Sequence, residues 1–171
     1  PQTSAGLYIN FLTGATGTSA FTGWDFNPYN TASGLGFYWN QTPLGGLINA
    51  GVSTAPASIL YANLTLGSTI SSTSNFTSAI QGTSANYRGT GLAILGFRFI
   101  NEATNAINYG YLTIQTTATT GFPATILSYR YEDSGAPITV VPEPSTTALL
   151  SISLLVVGAA GLREWRRRQA A

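Results

Sequence analysis

Ahead of residue 141 the chain carries four carboxylates, Asp25, Glu102, Glu132 and Asp133, and these are its material for acid–base or metal chemistry. Cys, His and Lys are absent. Nucleophile–imidazole pairs, thiolate sites, Schiff-base lysines and imidazole metal ligands are excluded with them. Glycoside cleavage would need two of the carboxyls set across a cleft. Adjacent Glu132 and Asp133 close a strand-like run, where charge keeps an edge soluble. The chain therefore reads as non-enzymatic, with no cofactor. Calcium asks only for oxygen ligands, and Asp25 with Asn27, or Asn101 with Glu102 and Asn105, could supply them from loops. Neither set has EF-hand or repeat spacing, and Asn and Asp are ordinary turn residues. No metal is expected.

A second chemistry belongs to the aromatic rings. Trp24, Tyr29, Tyr38, Trp39 and Tyr87 lie in stretches rich in Gly and Asn. Amphipathic rings there stack on sugars while neighbouring amides hydrogen-bond, or else they fill a core. Trp24, Tyr38 and Trp39 are the candidate sugar contacts on the first reading. Asn40-Gln41-Thr42, Asn63-Leu64-Thr65 and Asn75-Phe76-Thr77 match the eukaryotic glycosylation sequon, a match that would be incidental in a bacterium. The lack of lysine excludes Lys–Asn isopeptide cross-links.

The elements that must position these residues are short and β-prone. Apolar residues alternate with polar ones in the runs 6–12, 59–66, 92–100, 108–115 and 125–131, with Gly, Pro, Ser and Asn between them. In 92–100, Ala93, Leu95, Phe97 and Phe99 share one face and Arg98 takes the other. In 125–131, Thr125, Leu127, Tyr129 and Tyr131 share a face opposite Ser128 and Arg130. The Ser/Thr-rich stretch 67–91 is read as a long loop or one with a helical turn at 77–81. No 3.6-residue periodicity precedes residue 145. The expected fold is all-β, an antiparallel β-sandwich or jelly-roll-like ectodomain over 1–140 followed by a single C-terminal transmembrane helix.

Composition fits an exported body. Hydrophobic residues make up 44% of the 171, enough for a core, while charged residues reach only 8%. The net charge of +1 conceals a division. The body is slightly acidic, whereas Arg163, Arg166, Arg167 and Arg168 crowd the far end, so the body has no electrostatic case for nucleic acid. The first residue is Pro1 and no Met occurs, which leads us to expect removal of a secretory signal peptide.

The stretch 145–162 is free of charge. As a helix rising about 1.5 Å per residue it would span roughly 27 Å, near the lower limit for a bilayer. Each Leu, Ile or Val at its centre contributes about −0.3 to −0.6 kcal/mol to insertion, so the anchor is of moderate strength. Arginines beside a membrane helix stay cytoplasmic, which sets the body outside. Pro142 and Pro144 keep the preceding residues extended and out of the helix.

Pro142-Glu143-Pro144, the apolar span 145–162 and the arginine-rich end 163–171 together resemble the PEP-CTERM sorting signal. The segments 92–111 and 124–132 are similar to ectodomains found ahead of that signal. Asn108 and Tyr111 stand where many such proteins have a His and a Trp, so a role for that His does not carry over. The resemblance implies an exosortase as transient partner of the tail 141–171, acting near Pro142, Glu143 and Pro144. It also implies membrane lipid as a second partner and a Gram-negative type of cell that makes exopolysaccharide. The protein would sit in the inner membrane, single-pass with its N-terminus out, and then move to the cell surface or extracellular matrix.

Overall fold

A computed structural model describes residues 5–42, 44–79, 85–89 and 91–142. Among these the fold is all-β, its strands antiparallel, with one 3-10 turn at Ala85–Tyr87 and no α-helix. The span 145–162, Glu143, Pro144 and the four tail arginines lie outside the described residues. Among the described residues no helix is long and apolar enough to cross a membrane.

The first sheet has the order β2-β1-β3-β4. A hairpin of β3 (Phe26–Thr31) and β4 (Gly34–Trp39) forms one side of it, and two short strands, β1 (Tyr8–Ile9) and then β2 (Thr16–Gly17), extend it beyond β3. The hairpin is not among the runs that alternation singles out, because Pro28 interrupts it. Asn27 supports the strand beside this proline: its Oδ1 accepts the Leu7 N–H at 2.9 Å and its Nδ2 donates to the Ala5 carbonyl at 3.1 Å. That join binds the segment before β1 to a strand whose Pro28 has no N–H to give.

The second sheet has the order β10-β9-β8-β5-β7. A meander of β8 (Gly91–Asn101), β9 (Ala106–Thr116) and β10 (Thr125–Glu132) dominates it, with β5 (Ala50–Val52) and β7 (Phe76–Thr77) on the other side of β8. The two sheets share one core, in which Ile9, Phe26, Phe37 and Trp39 meet Leu95, Phe97, Phe99, Leu112 and Ile114. Phe11 stacks on Phe97 with ring centroids 4.0 Å apart. Trp39 donates its indole N–H to the Tyr61 hydroxyl at 2.9 Å, and Tyr61 passes its own proton to the Ala79 carbonyl at 2.8 Å. Buried polar tips are thus satisfied in series.

The second sheet is covered on its other face as well. A ribbon of β6 (Thr69–Ile70) and β11 (Ile138–Thr139) brings Ile70 and Val140 onto Val52, Tyr109 and Tyr111. Both faces of β9 are consequently buried at its centre.

Two expectations are corrected. The run 59–66 is not a strand: it makes one isolated bridge, Ser53↔Tyr61, and leaves Leu60 and Leu66 exposed while Tyr61 enters the core. It follows the sheet through single hydrogen bonds, Ala62 N–H to the Val52 carbonyl and Leu64 N–H to the Ile94 carbonyl, and never forms a ladder. In β10 the register against β9 shifts between Ile126 and Ser128. The bulge swaps the faces at that point, so Ile126, Tyr129 and Tyr131 pack on the core and Leu127 is left 54% exposed.

Candidate functional site

Loops at one end of the two-layer body enclose a cleft of about 330 Å³. Thr22, Gly23 and Asp25 reach it from the approach to β3. Asn40, Thr42, Leu44 and Asn49 come from the connection after β4, Ile100 from the end of β8, and Glu102 and Asn105 from the β8–β9 turn. Three separate stretches of chain therefore converge on it. The β8–β9 turn is tight because Asn105 adopts a left-handed backbone (φ 51°) that asparagine tolerates well, and its N–H returns to the Asn101 carbonyl at 2.8 Å.

Asp25 is almost wholly buried. Its Oδ2 accepts the Phe11 N–H at 2.7 Å and its Oδ1 accepts Asn49 Nδ2 at 2.9 Å. Asn49 is fixed in turn by the Ile100 N–H, which donates to its Oδ1 at 2.8 Å. Across the cleft Glu102 accepts Asn10 Nδ2 at 3.1 Å, and the same amide donates to the Gly23 carbonyl. Burial foremost, with the charge of Glu102 adding to it, pushes the Asp25 carboxyl up to about 7, against the pull of its two hydrogen-bond donors.

The cleft joins residues that the sequence placed in different sets. Asp25 meets Glu102 and Asn105, whereas Asn27 is occupied at Ala5 and Leu7, and Asn101 caps its own turn by accepting the Ala103 and Thr104 N–H groups. The pairing of Asp25 with Asn27 is thereby corrected. Glu132 lies on β10 and does not line the cleft; its carboxylate is held below the usual range by the Ser134 hydroxyl and N–H. Among the described residues no group of three or more acidic side chains gathers to hold a metal ion. Asn49 and Asn10 were not singled out from the sequence. The one local signal for Asn49 is a polar residue set inside the apolar run Leu47 to Val52.

The aromatic candidates separate cleanly. Trp39 and Tyr87 are buried in the shared core, so Trp39 leaves the set of sugar contacts. Trp24, Tyr29 and Tyr38 are half-buried on the first sheet, and Tyr8 joins them. Tyr38 pairs with Asn27 and Gly36 with Tyr29, which puts these residues on the face opposite Phe26, Phe37 and Trp39. Tyr8 meets Trp24 edge-on at 4.9 Å, and Trp24 meets Tyr38 at 5.2 Å. The Tyr29 ring lies over Gly36, where a Cβ would come within 3.1 Å of it. None of β1 to β4 contains a charged residue. The outer face is thus an uncharged row of rings, ending beside the cleft: Trp24 precedes Asp25, and Asn40 donates to the Trp24 carbonyl at 2.7 Å.

Asn40 also accepts the Thr42 N–H and hydroxyl, while the Asn63 amide accepts the Ile94 N–H, so two of the three sequon asparagines serve the fold. Asn108 is fully buried and ties β9 to the Glu132 carbonyl at 2.6 Å. Pro142 is exposed, and Glu143 and Pro144 lie outside the described residues.

The fold is an antiparallel β body of two sheets around a shared core with a covering ribbon, and its cleft is lined by polar and apolar residues together. Comparison with protein-family models, with curated proteins and with solved structures finds no match for this chain.

Proposed function

We propose that this is an exported, non-enzymatic cell-surface or matrix protein, a β-sandwich or jelly-roll-like body delivered through its tail 141–171. The observation that carries the reading is the ordered triple of Pro142-Glu143-Pro144, an uncharged span and Arg163, Arg166, Arg167 and Arg168. In this arrangement the arginines stop transfer on the cytoplasmic side and the prolines present an extended peptide at the outer interface. The resemblance to PEP-CTERM tails makes an exosortase the enzyme that reads it. Intact-mass measurement on cells with and without the exosortase tests this. We expect a chain shortened near residues 142–144 when the enzyme is present, and the full-length chain in the inner membrane when it is absent. Full-length protein in the inner membrane of both strains sinks the sorting claim.

A second reading, carbohydrate binding by the body, is favoured by the half-buried row of Tyr8, Trp24 and Tyr38 on a sheet face without charge. Ring faces of this kind stack on the apolar faces of sugars, and exopolysaccharide is the polymer such a surface protein would meet. Retention on immobilised polysaccharide that falls away in Trp24→Ala would support it, and retention equal to the parent chain would count against it.

A further inference from the structure

We propose that the end cleft between Asp25 and Glu102 is a subsite for one residue of an uncharged glycan, whose neighbouring residues lie on the adjoining aromatic row. The inference rests on the carbohydrate reading and goes further, because it assigns a polar recognition site and a charge class of ligand.

The volume, about 330 Å³, falls at the small end of the range for ligand pockets and suits a single sugar ring. The lining offers acceptors, the Glu102 carboxylate and the Asn105 amide oxygen on exposed residues and the Asp25 carboxyl and Asn49 amide oxygen on buried ones, beside apolar surface from Leu44 and Ile100. Sugar hydroxyls are the donors that such a lining satisfies. The buried Asp25 oxygens each have a protein donor, whereas exposed Glu102 accepts one from Asn10 and a carboxylate has lone pairs for more, so the acceptor capacity open to a ligand lies at Glu102. These groups are also fixed in advance. Asp25 is held by Phe11 and Asn49, Asn49 by Ile100, and Glu102 by Asn10. Binding therefore freezes few rotors, which is where much of the cost of polar recognition arises.

Charge decides the class. No basic side chain lines the cleft, so uronates, sulfates and phosphates would meet Glu102 without a counter-charge. A cation is less well served, since two carboxylates with both Asp25 oxygens already accepting N–H donors fall short of the six to eight oxygens that calcium takes. Trp24, next to Asp25 in the chain, belongs to the aromatic row and would supply the ring on which the next sugar stacks.

The test is titration of the full-length chain, in micelles of a detergent without a sugar headgroup, with cello-, xylo- and malto-oligosaccharides and with polygalacturonate. We expect binding to at least one neutral series and none to polygalacturonate. Glu102→Gln and Trp24→Ala should each weaken it about tenfold or more while the chain stays folded at the titration temperature. Chelator and about 0.5 M NaCl should leave the affinity within twofold, as suits a neutral ligand. Loss in Trp24→Ala with full affinity in both Glu102→Gln and Asn105→Ala would overturn the subsite and leave the aromatic-face reading standing. Affinity abolished by chelator would assign the cleft to a cation instead. Binding to polygalacturonate overturns the charge class, and no binding to any neutral series overturns the subsite and the aromatic-face reading together.

Discussion

At the Asp25 carboxyl two tendencies oppose each other. The Phe11 N–H and the Asn49 amide favour the ionised form, while burial and Glu102 favour the protonated one strongly enough to bring the pKa to about 7 from 3.8. In the unfolded chain the group ionises near 3.8, so between that pH and about 7 the folded protein keeps a proton that unfolding releases. Raising the pH through this window therefore draws the equilibrium towards the unfolded state. Stability from this group is fully present below about pH 4 and is lost by about pH 7, at the order of a few kcal/mol. Glu132 has the opposite slope, but its depressed pKa confines that to pH below the ordinary glutamate value. The expected outcome is a thermal midpoint that declines from pH 4.5 to 7.5 in the parent chain and stays level in Asp25→Asn, followed by calorimetry. Parallel profiles for the two proteins would refute this account of Asp25.

The meander β8-β9-β10 shows how little room the elements leave one another. A Cβ on Gly110 would come within 2.5 Å of both the Arg130 carbonyl and the Phe97 ring, so backbone and core would have to yield together. Gly110→Ala should cost about 2–3 kcal/mol, lowering the thermal midpoint by roughly 5–10 °C. Gly89→Ala, with open space around it, should change stability by no more than about 0.5 kcal/mol. Equal midpoints for the two variants would show that β9 and β10 are less closely packed than described. The same elements show what the sequence makes readable. Alternation in 92–100 led directly to β8, because its ladder with β9 runs without a break from Gly91 to Asn101. In 125–131 the alternation was real but its continuity was not: the bulge after Ile126 exchanged the faces, and Leu127 went to solvent. A bulge is set by the partner strand, which local pattern does not contain. The β3–β4 hairpin escaped notice for a related reason, since Pro28 is tolerated only through the amide of Asn27.

For the molecule as a whole, the closing step is β11. Val140 is 1% exposed in the second core with Ile70, Tyr109 and Tyr111, and the compact unit that contains it ends at that residue. Pro142-Glu143-Pro144, the proposed processing motif, begins two residues later. A cut near Pro142 would therefore leave every core residue in place. A chain ending at Val141 should match the full-length protein in its thermal midpoint, whereas one ending at Pro137 should unfold well below it, having uncovered Ile70, Tyr109 and Tyr111. Equal midpoints for the two truncations would mean that β11 contributes nothing to closure. This placement lets the processing that we propose release a body that is already complete.

Residue types and local alternation, both fixed along the chain, determined the all-β class, the absence of imidazole, thiol and lysine chemistry, the strand-like runs 92–100, 108–115 and 125–131, and the distinct character of the tail. The tertiary structure alone decided which face of each strand turns inward. Tyr38 and Trp39 are neighbours of the same chemistry, yet one lies on the outer face and the other in the core, because pairing with β3 directs alternate residues to opposite sides. It alone brought Asp25, Asn49 and Glu102 into one cleft, since loops distant in sequence meet only when both sheets close on their shared core. The carboxylates were visible from the start; their meeting was not, because proximity across a sandwich depends on long-range strand pairing that no local spacing encodes.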